Sequence, residues 1–127
     1  MPPIVFVLLG GAVGAGFRYQ IGSIALRNLG PGFPWGTLAV NLLGGLLMGI
    51  LAGTLVRHLT AGHGETLRLL LGVGVLGGFT TFSAFSLETA NMLIRGQPLM
   101  AAAYAVTSVA GSVLLLLVGL YVMRAVG

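Results

Sequence analysis

The 127-residue sequence has no cysteine, no lysine and no aspartate, and only 6% of its residues are charged. Without cysteine the chain can form no disulfide bond and can use no thiolate as a nucleophile or metal ligand. Its six basic residues are all arginines, scattered singly, which excludes the basic run typical of a nucleic-acid-binding surface. Soluble domains carry about 25% charged residues. We therefore interpret residues 1–127 as a single membrane domain.

Long apolar runs identify four candidate transmembrane helices. They cover about residues 4–26, 36–56, 66–94 and 98–123, and short connections separate them. No basic residue precedes the first run, so we interpret it as a retained helix and not as a secretory signal. The predicted fold is an all-α membrane protein with both termini on one side of the membrane.

The arginines near the helix ends give almost no signal for orientation. Arg57, Arg68 and Arg124 fall on the side of the termini, whereas Arg27 and Arg95 fall on the other side. This near balance leaves two alternatives open. Either charge does not specify the orientation, or the chain inserts both ways and forms antiparallel pairs.

Glycines recur every four residues on the first two predicted helices, at Gly10 and Gly14 and at Gly45, Gly49 and Gly53. Such faces let two helices approach closely, within one chain or between two chains. Packing within one chain is the simpler alternative. Four short helices can hardly enclose a pore alone, however, which favours an oligomer.

Polar side chains inside a membrane are costly, so each one needs a partner or a function. Arg18 either extends to the interface or places a fixed positive charge at the mouth of an anion path. Asn41 either hydrogen-bonds a neighbouring helix or donates to an anion. Tyr104, Ser108 and Ser112 recur every four residues, which places three hydroxyl groups on one helix face.

The acidic and histidine residues do not form a recognisable catalytic or metal site. Glu88 is expected to cap a helix or to pair with Arg95 at the interface. His58 and His63 have only Glu65 nearby and no third ligand, so we predict no metal site there. The sequence also has no Ser/His/Asp set and no P-loop, and we predict that the protein is not an enzyme.

The third span contains GGFTTFSAFS, residues 77–86. Gly77 and Gly78 weaken a helix, and a break near 77–81 would leave backbone carbonyls that a small cation could coordinate. The alternative is close packing through an intact helix. On one helix face, the ring edges of Phe79, Phe82 and Phe85 could meet an anion, because those edges are positive. Four hydroxyl residues surround these rings: Thr80, Thr81, Ser83 and Ser86. The stretch therefore predicts a midplane anion site beside a broken helix.

The run GVLGGFTTFSAFSLE resembles the signature of the small fluoride channels of the Fluc or CrcB family, whose motif is close to GGxTTFSTFS. The resemblance includes WGTLAVNLLGG in the second span, and it covers essentially the whole chain. It implies a multi-pass, dual-topology, antiparallel homodimer in the bacterial inner membrane. Two anion pathways per dimer would let cytoplasmic fluoride leak out passively, which lowers fluoride toxicity.

The resemblance also implies roles for individual residues. Main-chain carbonyls of Gly77 and Thr80 would hold a structural sodium ion, Na+, at the dimer interface. Ala84 and Ala39 depart from the family pattern, and both remove a possible polar contact. The residues placed along the anion pathway are Arg18, Asn41, Thr81, Phe82, Ser83, Phe85, Tyr104, Ser108 and Ser112.

Two other functions are compatible with four short spans. A small proton-coupled multidrug exporter needs a carboxylate in the first span, and this first span has Arg18 and no acid. A non-transporting scaffold subunit would not need a hydroxyl stripe aligned with an aromatic motif. The predicted partners are therefore fluoride, membrane lipid and a second copy of the chain, with no nucleic acid.

Overall fold

The computed structural model describes residues 1–58 and 64–126, and all regular secondary structure in these ranges is helical. Helix α1 is Pro3–Leu29 and helix α2 is Trp35–His58. The third span consists of α3 (Gly64–Leu67), a π-helical segment (Arg68–Leu76), α4 (Gly77–Phe79) and α5 (Phe82–Ile94). Helix α6, Pro98–Val126, ends the described chain.

Four helical stretches are long and apolar enough to cross a membrane: Pro3–Leu29, Trp35–Leu55, Gly64–Ile94 and Pro98–Val126. The four predicted spans are confirmed, and their ends differ from the predicted ends by at most three residues. The chain is thus a multi-pass helical membrane protein. We predicted no metal site at His58 and His63, and the side chains of both residues lie outside the described part of the structure.

Glycine ends two of the membrane helices. Gly30, at φ 76°, follows α1 and donates its N–H to the carbonyl of Leu26 at 3.0 Å. Gly96, at φ 75°, follows α5 and donates its N–H to Leu93 at 3.1 Å. These positive φ values favour glycine, because a Cβ atom would clash with the backbone. The chain therefore turns sharply after each helix, which allows the short connections between spans.

The glycine stripe of α2 packs directly against α6 of the same chain. A Cβ atom added at Gly45 would lie 2.6 Å from the carbonyl oxygen of Ser112, too close for a real contact. From the other side, a Cβ atom at Gly119 would lie 2.6 Å from the carbonyl oxygen of Leu46. The second-span glycines thus serve packing within the chain, the simpler of the two predicted alternatives.

The glycines of α1 pack in the same way against the first half of the third span. A Cβ atom at Gly10 would lie 2.8 Å from the Val75 nitrogen, and one at Gly78 would lie 2.6 Å from the Gly11 carbonyl oxygen. The segment that α1 contacts is π-helical over nine residues, an uncommon conformation that often marks functional regions. Close contact with α1 thus fixes the half of the span that leads into the candidate site.

Candidate anion site at a helix break

The third span is interrupted at two threonines. Thr80 (φ −82°, ψ 156°) and Thr81 (φ −147°, ψ 118°) are extended, and they separate α4 from α5. The predicted break near 77–81 is confirmed, but the glycines are not the residues that leave the helix. Gly77 keeps helical angles of φ −62° and ψ −40°. Gly78 is instead pressed against the backbone of Gly11, which explains why a residue without a side chain is needed there.

Asn41 of α2 holds the extended backbone of Thr81. Its Oδ1 accepts the Thr81 N–H at 2.8 Å, and its Nδ2 donates to the Thr81 carbonyl at 3.0 Å. The side-chain amide thus replaces two hydrogen bonds that the broken helix cannot make. Of the two predicted roles, hydrogen bonding to a neighbouring helix is the one observed. An amide has two N–H groups, so one donor of Asn41 is left for another acceptor.

The hydroxyl groups of the break have local partners. Thr81 Oγ1 accepts the N–H of Ala84 at 3.2 Å and so caps the start of α5. Thr81 Oγ1 also lies 3.3 Å from the Ser83 hydroxyl, and Thr80 Oγ1 donates to the Leu76 carbonyl at 3.0 Å. These side chains stabilise the two helix ends that face each other across the break.

Arg18 extends from α1 to the end of α4. Its Nε donates to the Gly78 carbonyl at 3.1 Å, and its side chain is half-buried. The sequence left open whether this arginine extends to the membrane interface or lies at the mouth of an anion path, and the structure adds that its Nε is bonded to the helix break. The guanidinium lies at the carbonyl end of a short helix, where a positive charge is favourable.

The three phenylalanines do not share one helix face. Phe79 ends α4 and is buried, whereas Phe82 opens α5 with 77% of its surface exposed. The prediction of one aromatic stripe is wrong here, because the extended threonines interrupt the helical periodicity between these residues. Phe82 and Phe85 do lie together, with ring centroids 5.6 Å apart, and Phe85 lies 5.1 Å from the ring of Tyr104.

A groove of about 380 Å³ lies between α2, the helix break and α6. Gly77 and Thr80, whose carbonyls were predicted to hold sodium, also line it. Arg18 lines a smaller neighbouring pocket of about 170 Å³, which shares Thr81 with the groove. Six of the nine predicted pathway residues line the groove, namely Asn41, Thr81, Phe82, Phe85, Ser108 and Ser112.

Ser108 carries an unpartnered buried hydroxyl in this groove. The residue is 5% exposed, and its Oγ has no hydrogen-bond partner among the described residues. One turn further, the Ser112 hydroxyl donates to the Asn41 carbonyl at 3.3 Å. Buried polar atoms are nearly always hydrogen-bonded. The Ser108 hydroxyl is thus available to donate to a group bound in the groove.

Tyr104 does not line the groove, although it belongs to the predicted stripe. It is fully buried, and its hydroxyl donates to Glu88 Oε1 at 3.0 Å. The Thr37 hydroxyl donates to Glu88 Oε2, also at 3.0 Å. The expected cap or Arg95 pairing of Glu88 is therefore wrong, since both carboxylate oxygens accept hydroxyl groups. Thr37 was missed in the sequence, although it precedes Asn41 by four residues on the same face of α2.

The carbonyls of Gly77 and Thr80 are compatible with a bound cation. In a continuous helix they would accept the N–H groups of Thr81 and Ala84, and both of these donate to side chains instead. Carbonyl oxygens are ligands that small hard cations prefer. Among the described residues, no three His, Cys, Asp or Glu side chains form a group that could hold a metal.

Comparisons with known proteins agree on one family. The sequence model described as CrcB-like protein, Camphor Resistance (CrcB), matches residues 5–120. A protein of Novosphingobium aromaticivorans is 55% identical over 128 residues, which cover 99% of each chain. One of Phenylobacterium zucineum is 56% identical over 126 residues, covering 99% of this chain and 98% of its own. One of Sphingopyxis alaskensis is 52% identical over 118 residues, covering 93% and 92%. Each relative is named Fluoride-specific ion channel FluC.

Proposed function

The chain belongs to the CrcB-like protein family, and from this premise we propose that it is a fluoride-specific ion channel of the bacterial inner membrane. The names of its relatives support this proposal, since they describe ion channels and not enzymes. The single structural observation that carries it is the buried, unpartnered Ser108 hydroxyl beside Phe82 and Phe85 in one groove.

The groove offers neutral hydrogen-bond donors to an anion, and no acidic side chain lines it. Ser108 contributes an O–H group, Asn41 contributes one N–H group, and the phenylalanine rings contribute positive edges. Uncharged donors can replace part of the hydration shell of a small anion without binding it too tightly to leave. No residue lining the groove titrates near neutral pH. Fluoride would therefore cross as the anion, down its gradient and without proton coupling.

The channel would act as an antiparallel homodimer with two pathways. Phe82 is 77% exposed in the single chain, although it lines the groove beside the buried Phe85. A second copy packed on the groove would cover this ring and complete the wall of the pathway. The near balance of arginines on the two sides supports insertion in both orientations.

Both orientations can be tested with a single cysteine, because the native chain has none. The turn residue Gln97 is exposed, so the thiol of Gln97→Cys would face opposite sides of the membrane in the two orientations. We expect a membrane-impermeant maleimide to label about half of the chains in intact cells. Labelling of all chains or of none would contradict dual insertion.

A sodium ion would be held by the carbonyls of Gly77 and Thr80, which lack helical donors. Their oxygens would supply neutral ligands, and the ion would supply a fixed positive charge beside the anion pathway. The ion would have a structural role, because it would join the broken helices of two chains and would not be transported.

Fluoride efflux from liposomes tests the main proposal. Purified protein is reconstituted in liposomes, a potassium gradient with ionophore sets the voltage, and a fluoride electrode follows release. We expect fast, voltage-driven fluoride release with little chloride release. No fluoride release from liposomes that contain folded protein would contradict the channel and favour a scaffold subunit. A proton-coupled exporter is not favoured, since α1 carries no carboxylate.

A further inference from the structure

The helix break redirects two backbone N–H groups to side chains. A continuous helix would pair the Thr81 N–H with the Gly77 carbonyl and the Ala84 N–H with the Thr80 carbonyl. Instead, Thr81 N–H donates to Asn41 Oδ1 at 2.8 Å, and Ala84 N–H donates to Thr81 Oγ1 at 3.2 Å. The carbonyls of Gly77 and Thr80 lose their helical donors for this reason, and both residues line the open groove.

Side chains from the neighbouring helices occupy two other carbonyls of the break. Arg18 Nε of α1 donates to the Gly78 carbonyl at 3.1 Å. Asn41 Nδ2 of α2 donates to the Thr81 carbonyl at 3.0 Å. Carbonyl groups left without partners inside a membrane need another source of compensation. The two side chains supply it for Gly78 and Thr81 but not for Gly77 and Thr80.

We infer that Arg18 and Asn41 are positioning residues that select which carbonyl oxygens at the break are left to bind a sodium ion. Asn41 keeps the Thr81 N–H away from the Gly77 oxygen. Arg18 occupies one lone pair of the Gly78 oxygen and places a fixed positive charge beside it, which disfavours sodium at that oxygen. The inference rests on the sodium site proposed above, and it assigns the choice of ligands to two side chains that do not contact the ion.

The two side chains have opposite effects on sodium affinity in this scheme. Asn41→Ala frees the Thr81 N–H to return to the Gly77 carbonyl, which removes a ligand and weakens sodium binding. Arg18→Met frees the Gly78 carbonyl and removes a repelling charge, and both changes strengthen sodium binding. We expect the half-saturating sodium concentration to change by at least about threefold in each variant, because charges and dipoles interact strongly in a low-dielectric site.

The measurement is the thermal unfolding midpoint of the full-length protein in detergent, titrated with sodium chloride at constant ionic strength. A ligand at free concentration L that binds only the folded state stabilises it by RT ln(1 + L/Kd), so a fit of the midpoint against sodium concentration gives Kd, the half-saturating concentration. Thr54→Val is the matched control, since the Thr54 hydroxyl donates to Ile50 of its own helix at 2.7 Å. Asn41→Asp retains the Oδ1 acceptor, so it should bind sodium at least as tightly as the parent chain even if Asn41→Ala does not fold.

Opposite shifts in Arg18→Met and Asn41→Ala, with no shift in Thr54→Val, are the expected result. The inference would be overturned if the half-saturating sodium concentration shifted in the same direction in Arg18→Met and Asn41→Ala. It would also be overturned if both variants had the half-saturating concentration of the control. A parent chain whose unfolding midpoint does not respond to sodium would overturn it as well. Fluoride efflux from the same preparations separates the two proposals. Expected sodium shifts without fluoride release would refute only the channel, whereas fluoride release without a sodium response would refute only the selection of carbonyls.

Discussion

The hydroxyl group of Tyr104 donates to Glu88 Oε1 at 3.0 Å, and this bond joins α6 to α5. The Thr37 hydroxyl of α2 donates to the other oxygen of the same carboxylate, Oε2. Tyr104 has no exposed surface, and Glu88 is the acceptor of its hydroxyl group. One acidic side chain of α5 therefore links three helices through hydrogen bonds.

Glu88→Ala should destabilise the protein because it leaves the buried Tyr104 hydroxyl without an acceptor. The expected loss is about 1–3 kcal/mol of unfolding free energy, typical of an unsatisfied buried polar group. Chemical unfolding in mixed micelles would measure it. Glu65→Ala is the control, since Glu65 pairs with Arg68 in an exposed position, and little change is expected. Equal effects of the two substitutions would contradict the importance of the Tyr104 bond.

Phe82→Ile should reduce fluoride efflux strongly while leaving the fold of each chain intact. The Phe82 side chain is 77% exposed in the single chain, so its replacement costs little packing there. An aliphatic side chain has no positive ring edge to offer an anion. Phe85→Ile should reduce efflux too, but it should also lower stability, because Phe85 is buried against Tyr104. Efflux as fast as in the parent chain would remove the substituted residue from the pathway.

Ser108→Ala should separate transport from stability. Its hydroxyl has no partner among the described residues, so its removal should leave the unfolding midpoint nearly unchanged. Loss of a hydrogen bond to a charged ligand, worth about 1.5 kcal/mol, should slow fluoride efflux about tenfold. Thr107→Ala changes the adjacent, exposed hydroxyl of α6 and should affect neither quantity. A stability loss without an efflux change would show that Ser108 only packs.

Gly14→Ala should disrupt the contact between α1 and the third span. A Cβ atom at Gly14 would lie 2.8 Å from the backbone nitrogen of Phe79, and backbone atoms cannot move aside cheaply. Gly16→Ala adds the same methyl group two residues later, where nothing lies within 4 Å. We expect size-exclusion chromatography to show aggregation of the first variant and a normal profile for the second. Similar profiles would contradict the assigned packing of α1.

Much of the fold was predictable because it follows from composition along the chain. Apolar runs located the four spans, and glycine spacing located the two close helix contacts. The sequence also placed a break near 77–81, but it attributed the break to Gly77 and Gly78. The packing partner of Gly78, the backbone of Gly11, lies far away in the sequence, so no local pattern could favour the close-packing alternative for this glycine.

The sequence grouped side chains that the fold brings close together, but it did not predict their contacts. Six of the nine predicted pathway residues line one groove. The hydrogen bond between Thr81 and Asn41 spans 40 positions of the chain, and the one between Arg18 and Gly78 spans 60. No local sequence pattern could therefore predict either hydrogen bond. The same holds for Thr37 and Glu88, which are 51 positions apart.

The pairing of Asn41 with Thr81 has a consequence for how the protein is made. Asn41 belongs to the second span, so during synthesis it enters the membrane before the third span emerges from the ribosome. The third span alone has no means of satisfying the Thr81 peptide in lipid while that peptide is extended. On its own it should enter as a continuous helix and then be opened by the asparagine that is already in place. The interruption is therefore acquired during assembly in the membrane, and biogenesis must deliver the spans in this order.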